Sequence, residues 1–170
     1  MTLEQLYRDH FDFVYRIARH LGGDALHPEE IAQDVFLVVS RKLATYQPTV
    51  RVTTWLYGIT LNVVRSRRRR ARLEALYRTD EEAGFRVPLR SVDSAEVASA
   101  WRIASSILRS LPPKKRDVFV LAELEGLSCA EIAAIVGTRE ETVWSRLHYA
   151  RKAFEMQLRT LYPELVSDER

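Results

Sequence analysis

Between Leu127 and Phe154 the chain reads LSCAEIAAIVGTREETVWSRLHYARKAF, two helix-start signals separated by a glycine. Ser128 and Glu131 stand three residues apart, as do Thr138 and Glu141. At that spacing a hydroxyl and a carboxylate can each satisfy an otherwise orphaned backbone N–H at a helix start. Gly137 sits between the two signals and supplies the turn. Ile132, Ala133, Val136, Val143, Leu147 and Ala150 recur at helical spacing and predict the facing inner surfaces. Few folds accommodate two helices joined so tightly; the pattern is that of a helix-turn-helix. A hairpin used only for packing would share it, and the outer face of the second helix separates the two cases. There Thr142, Ser145, Arg146, Tyr149 and Lys152 recur every three or four residues, with His148 and Arg151 beside them. Hydroxyls, a guanidinium and a phenol reach phosphates and base edges, so duplex DNA is the expected ligand.

The remainder is also helical by period, with no strand-like alternation and no internal repeat. A first helix is expected over Thr2 to Leu21, opened by a Thr2/Gln5 capping box and stopped by Gly22-Gly23. A second starts at Pro28, whose missing N–H costs nothing in a first turn, and follows Ile31, Ala32, Val35, Phe36, Val39 and Leu43. TYQPTV (45–50) breaks it, and a third helix opens near Thr53 or Thr54 and runs into the arginines. Residues 73–92 lose periodicity and contain TDEEAGFRVP, a linker composition. Periodicity returns after Asp93 as far as Leu111, Pro112-Pro113 ends that helix, and a short one over 114–126 closes at Gly126. The expected architecture is all-α: a domain over 1–72, a flexible linker over 73–92, a helix-turn-helix domain over 93–160 and a short acidic tail over 161–170.

Charge supports a polyanion partner. The net formal charge is only +3, yet residues 1–72 hold 12 Lys/Arg against 7 Asp/Glu and residues 103–160 hold 9 against 7. Residues 73–102, with 4 against 6, separate these basic blocks. The densest cluster is RSRRRRAR at 65–72, with six arginines in eight positions. Those arginines cover most of a helix circumference, a basic end-cap that suits phosphates or simply a helix C-terminus. TYQPTVRVTTWLY (45–57) places aromatics beside hydroxyls and an arginine, suited to stacking on unpaired bases. On residue types alone, Trp55 and Tyr57 are better explained as core. Glu29, Glu30 and Asp34 form an acidic helix face, read equally as a solvated face whose first-turn acids favour the helix dipole or as a surface open to a protein partner. Catalysis is not expected: the four histidines are scattered, and no Glu-x-x-His, glycine-rich phosphate loop or nucleophile–base pair occurs. No metal or cofactor is expected either. One cysteine, Cys129, permits no internal disulfide, and it reads as a small apolar residue of the helix pair. No run of about 20 apolar residues exists to span a bilayer, and the N-terminus lacks a signal peptide's pattern. A cytoplasmic protein is expected.

In order along the chain, these segments resemble the extracytoplasmic-function (ECF) sigma factors of bacterial RNA polymerase. LYRDHFDFVYRIARHLGG, PEEIAQDVFLVV and TTWLYGITLNVVRSRRRR are similar to three successive segments of the family's first conserved domain. LPPKKRDVFVLAELEGLSCAEIAAIVGTREETVWSRLHYAR resembles its second. The resemblance implies an alternative sigma factor that binds core RNA polymerase and promoter DNA, has no small-molecule substrate, inserts into no membrane, and is held in check by an anti-sigma factor. It implies polymerase docking through Glu30, Gln33 and Asp34. It places the −10 element against Tyr46, Gln47, Thr49, Arg51, Thr53 and Thr54, supported by Trp55 and Asn62, with Arg65, Arg68 and Arg69 along the DNA backbone. The −35 element falls to Thr142, Ser145, Arg146, His148 and Tyr149, with Lys152 on the same face, and residues Pro112 to Leu124 near the polymerase flap. The chain departs from the family pattern where Ser66 replaces an acid, Cys129 a tyrosine, Glu141 a glycine, Trp144 a basic residue and Tyr149 an arginine. A stand-alone helix-turn-helix regulator is the alternative, and it would need neither the acidic face nor the aromatic loop.

Overall fold

The structure, a computed structural model, describes residues 2–23, 26–77 and 95–165. The chain divides into two units, Met1–Leu89 and Arg90–Arg170. Among the described residues every regular element is helical.

In the first unit, α1 (Leu3–Gly22), α2 (Pro28–Lys42) and α3 (Val52–Tyr77) all pack pairwise. The capping box at the start of α1 is formed: Gln5 N–H donates to Thr2 Oγ1 at 3.2 Å and Thr2 N–H to Gln5 Oε1 at 2.9 Å. Gly23 ends α1 with φ +63°, a conformation that costs glycine little. Pro28 occupies the first turn of α2. The core is the set the helical period picks out: Leu6, Val14, Ile17 and Leu21 of α1 against Ile31, Ala32, Val35 and Val39 of α2. From α3 come Leu56, Ile59, Leu61 and Val64. Thr60 is fully buried among them, and its hydroxyl donates to the Leu56 carbonyl at 2.8 Å, so its polar group is not stranded.

Burial along α3 stops at Val64, but the helix does not. Residues 73–77, expected to begin the linker, form its last turns, with Leu73, Leu76 and Tyr77 exposed. Leu73, Glu74, Ala75 and Leu76 are all good helix formers, and Arg70 Nε donates to Glu74 Oε1 at 2.9 Å one turn on. The lost apolar period marks an end of packing rather than an end of helix. The rest of the expected linker, the Asp93 cap and most of the acidic tail lie outside the described residues.

In the second unit α4 (Ala95–Ser110), α5 (Pro113–Phe119) and α6 (Cys129–Val136) all pack on the long α7 (Glu140–Leu161). A π-helical turn, Val120–Leu124, continues α5 and carries Val120 and Leu121 into the core. They join Ile107, Leu108, Leu111, Val118 and Ile132, and the Val143, Leu147 and Ala150 stripe of α7. The Phe119 and Phe154 rings stack at 4.9 Å.

Of the two capping boxes expected around Gly137, only the first forms. Ser128 Oγ accepts from Glu131 N–H at 3.3 Å, and Glu131 Oε2 accepts from Ser128 N–H at 2.9 Å. At the second, α7 begins one residue late, with Arg139 at its N-cap and no side-chain cap. The reason is the exit of α6: Gly137, at φ +69°, and Thr138 both donate their N–H to the Ala133 carbonyl, at 3.0 and 3.1 Å. Thr138 is thereby committed to the preceding helix, as glycine-terminated helices require of the residue after the glycine. Replacing Ser128 with Ala should therefore cost about 1 kcal/mol of unfolding free energy. Thr138→Ala should cost less than about 0.5 kcal/mol, both read by urea denaturation followed by circular dichroism.

Candidate nucleic-acid interface

The arginine run begins where the core of the first unit ends, and the structure sorts its members by direction. Positions 55, 58, 62, 65, 69 and 72 of α3 recur at alternate spacings of three and four, one face of a helix. That face carries half-buried Trp55, Gly58, exposed Asn62, half-buried Arg65, and exposed Arg69 and Arg72. The basic end-cap expected from sequence is therefore directed: a stripe runs from an aromatic base to three guanidinium groups.

Arg67 points away from it. Its Nη1 lies 2.6 Å from Glu30 Oε2 and its Nε donates to Asp34 Oδ2 at 2.8 Å. Burial alone would lower the pKa of this guanidinium, but the hydrogen bonds and charges of Asp34 and Glu30 outweigh it and raise it. Arg68 is half-buried and donates to the Leu21 carbonyl, at the C-terminal end of α1 where orphan carbonyls attract cations. Arg70 pairs with Glu74. So Arg67 and Arg68 tie α3 to its neighbours, while Arg69 and Arg72 stand exposed.

The candidate base-binding residues are brought together at the start of the stripe. Tyr46 lies against Trp55, ring centroids 4.8 Å apart, and its hydroxyl donates to the Val50 carbonyl at 2.5 Å. The Val50 N–H donates to the Gln47 carbonyl at 3.2 Å, closing a compact turn. Gln47, Thr49 and Arg51 are exposed on that turn or at its end, and Thr53 and Thr54 are half-buried in the first turn of α3. Tyr57, by contrast, is core, 5% exposed and edge-on to Phe13 at 5.0 Å.

On α2, Gln33 is exposed while Glu30 and Asp34 are engaged by Arg67. Gln33 borders a hollow of about 590 Å³ between α1 and α2, lined also by Leu3, Tyr7, Phe36 and Leu37. Leu37 is 56% exposed there. This apolar surface was not legible in the sequence, because Leu37 interrupts no period and Leu3 and Tyr7 fit a core stripe equally well.

In the second unit Ser145, His148, Tyr149 and Lys152 are exposed along one face of α7, with Thr142 and Arg146 half-buried at its border. Arg151, grouped with them from sequence, is turned to Glu123 on the π-helical turn at 2.6 Å. Two residues outside the set expected to face the −35 element lie on or against this face. Trp144 is 65% exposed and stacks on His148, centroids 5.8 Å apart and planes 10° off parallel; its i, i+4 spacing was legible. Lys115 of α5 sets its ammonium 5.1 Å above the Tyr149 ring, which only the fold reveals.

Comparison with known proteins matches both units. Residues 6–74 match the model of Sigma-70 region 2, and residues 102–154 that of Sigma-70 region 4. The ECF RNA polymerase sigma factor SigL of Mycobacterium tuberculosis is 30% identical over 161 residues, 94% of this chain and 90% of SigL. The chain belongs to the ECF sigma factors. It is thus an alternative sigma factor, a DNA-binding subunit that directs promoter recognition. SigE of Mycolicibacterium smegmatis is 37% identical over 155 residues, covering 88% of this chain but 58% of SigE. Among solved structures, the sigma factor RpoE of Bartonella quintana, in complex with the anti-sigma factor NepR, has the same fold. Its TM-score is 0.68 at 20% identity, with 98% of each chain covered.

If Arg67 is structural and Arg69 is reserved for a ligand, alanine will distinguish them. Arg67→Ala should lower unfolding free energy by up to about 1 kcal/mol, the range of partly exposed ion pairs, with the difference shrinking at high salt. Arg69→Ala should leave the denaturation midpoint unchanged.

Proposed function

We propose that this sigma factor divides its work by unit as follows. The first unit docks on core RNA polymerase through α2 and receives the melted −10 strand at the Tyr46–Trp55 loop. The backbone of that strand, or of the duplex leading to it, runs along Asn62, Arg65, Arg69 and Arg72. The second unit lays α7 in the −35 major groove, with Thr142, Ser145, Arg146, His148, Tyr149 and Lys152 toward the DNA. The continuous face from Trp55 to Arg72 carries this reading: aromatic surface beside a cationic track is how unpaired bases and their phosphates are held together. Gln33 and the hollow beside it support a protein partner on α2, because an apolar surface flanked by polar side chains gives both affinity and register. Glu30 and Asp34 then act with their charge partly compensated by Arg67, so docking leans on Gln33 and Leu37 more than on a bare acidic face.

The role is one of binding, and no catalytic step is assigned to these residues. No described helix is long and apolar enough to cross a membrane, and we place the working site in the cytoplasm with core polymerase. Regulation by an anti-sigma factor is part of the proposal, supported by the RpoE–NepR complex of like fold.

Size-exclusion chromatography with core polymerase and permanganate footprinting of promoter DNA test the division. The double variant Gln33→Ala/Leu37→Ala should weaken co-elution at least about tenfold, roughly 1.4 kcal/mol. Trp55→Ala should co-elute normally and lose reactive thymines at the −10 element. A wild-type chain that ignores core polymerase yet binds one duplex sequence tightly on its own would instead make it a stand-alone regulator.

A further inference from the structure

The charge on α7 falls short of what a DNA-reading helix needs. At its N-terminal end Glu140 and Glu141 are exposed beside Arg139, and Arg146 is half-buried. Further along, Arg151 is held by Glu123 and Arg159 by Glu155, which among the described residues leaves Lys152 as the exposed outer-face cation of α7 without a carboxylate partner. Duplex binding draws mainly on neutralised phosphates, so a further cation has to come from outside the helix. The structure holds one. Lys115, in the first turn of α5, is half-buried and places Nζ 5.1 Å above the ring of Tyr149, within cation–π range. Among the described residues no carboxylate pairs with it. Tyr149 is itself 55% exposed, so the pair lies at the surface of α7.

We propose that Lys115 is a phosphate contact of the promoter-reading surface, and that Tyr149 is the positioning residue that holds its ammonium there. This rests on α7 being the helix that meets duplex DNA. An aromatic face suits such a role because it fixes the ammonium in place without neutralising it, where a carboxylate would cancel the charge the phosphate needs. Phosphate contacts carry no sequence information, so Lys115 adds affinity and register while base preference stays with the other residues of α7.

The test is holoenzyme assembled with core polymerase, binding two duplexes across a salt series. One duplex is the best sequence recovered by selection on the wild-type holoenzyme, and the other is random sequence of equal length. Lys115→Gln should weaken both by the same several-fold factor near 0.15 M salt, and make the slope of log K against log salt shallower by about one. Lys115→Arg should restore the slope. Tyr149→Phe, which keeps the aromatic face, should keep the wild-type slope whatever it does to sequence preference. Tyr149→Leu should reproduce most of the slope change, and Lys115→Gln/Tyr149→Leu should have the slope of Lys115→Gln. Thermal melts identify any variant that has merely lost its fold, and for such a variant the Phe and Arg replacements decide. An unchanged slope for Lys115→Gln, with Arg146→Ala still weakening binding, overturns the proposal and spares α7 as reader. If Arg146→Ala is also silent, the reading of α7 itself falls. A Tyr149→Leu variant with altered sequence preference and an unaltered slope would make Tyr149 a base reader.

Discussion

Each unit is organised around one long helix that must be buried along a narrow stripe and left free along the opposite one. In α7 the stripe is Val143, Leu147 and Ala150, spaced four and three apart and at most 5% exposed. In α3 it is Leu56, Ile59, Leu61 and Val64. Removing water from these side chains is the main force holding the elements together, about 1.5–3 kcal/mol for each fully buried aliphatic side chain. The same burial orients the opposite face. Once Val143 and Leu147 are locked inward, Ser145, His148 and Tyr149 have no direction left but out. A nucleic-acid surface on such a helix is thus the complement of its packing stripe, and its precision derives from that packing.

The arginine segment shows how one composition serves two ends. Six like charges in eight residues repel one another, and because α3 runs on to Tyr77 they lie within the helix rather than in its last turn. Two of the six are drawn into the unit: Arg67 by the carboxylates of Glu30 and Asp34, Arg68 by the carbonyl of Leu21. These contacts anchor α3 just beyond the last buried residue, Val64, and set the rotation of the helix. That rotation presents Arg69 and Arg72 in line with Asn62 and Trp55. The ion pairs also moderate the acidic face of α2, so a face that looks like a charge patch in sequence is bordered by an apolar hollow edged by Gln33.

Most elements were legible because local physics specifies them. The capping boxes at Thr2 and Ser128, proline at the start of α2 and glycine after α1 and α6 act over one turn, and each forms as expected. At Thr138 the box does not form: the N–H that Glu141 would accept from is bonded to the Ala133 carbonyl, and α7 starts after Arg139 instead. The end of α3 was misplaced because apolar periodicity reports contact with a core, and helix persists past that contact when the residues favour it.

By itself the sequence determined the all-helical class, the helix-turn-helix, most of the packing residues of α1, α2 and α7 and the basic character of the surfaces, all of which follow from spacing and side-chain chemistry. In α3 the buried set is Leu56, Ile59, Leu61 and Val64, one step round the helix from Trp55 and Val63. Only the tertiary structure decided which charges are available. Arg67, Arg69 and Arg151 are the same side chain in sequence, yet the first is held by α2, the second is open to solvent and the third is turned to Glu123. Lys115 and Tyr149 are far apart in the numbering, and packing α5 on α7 is what brings them together. Availability of a charge depends on distances between elements, and those distances are fixed only when the cores close.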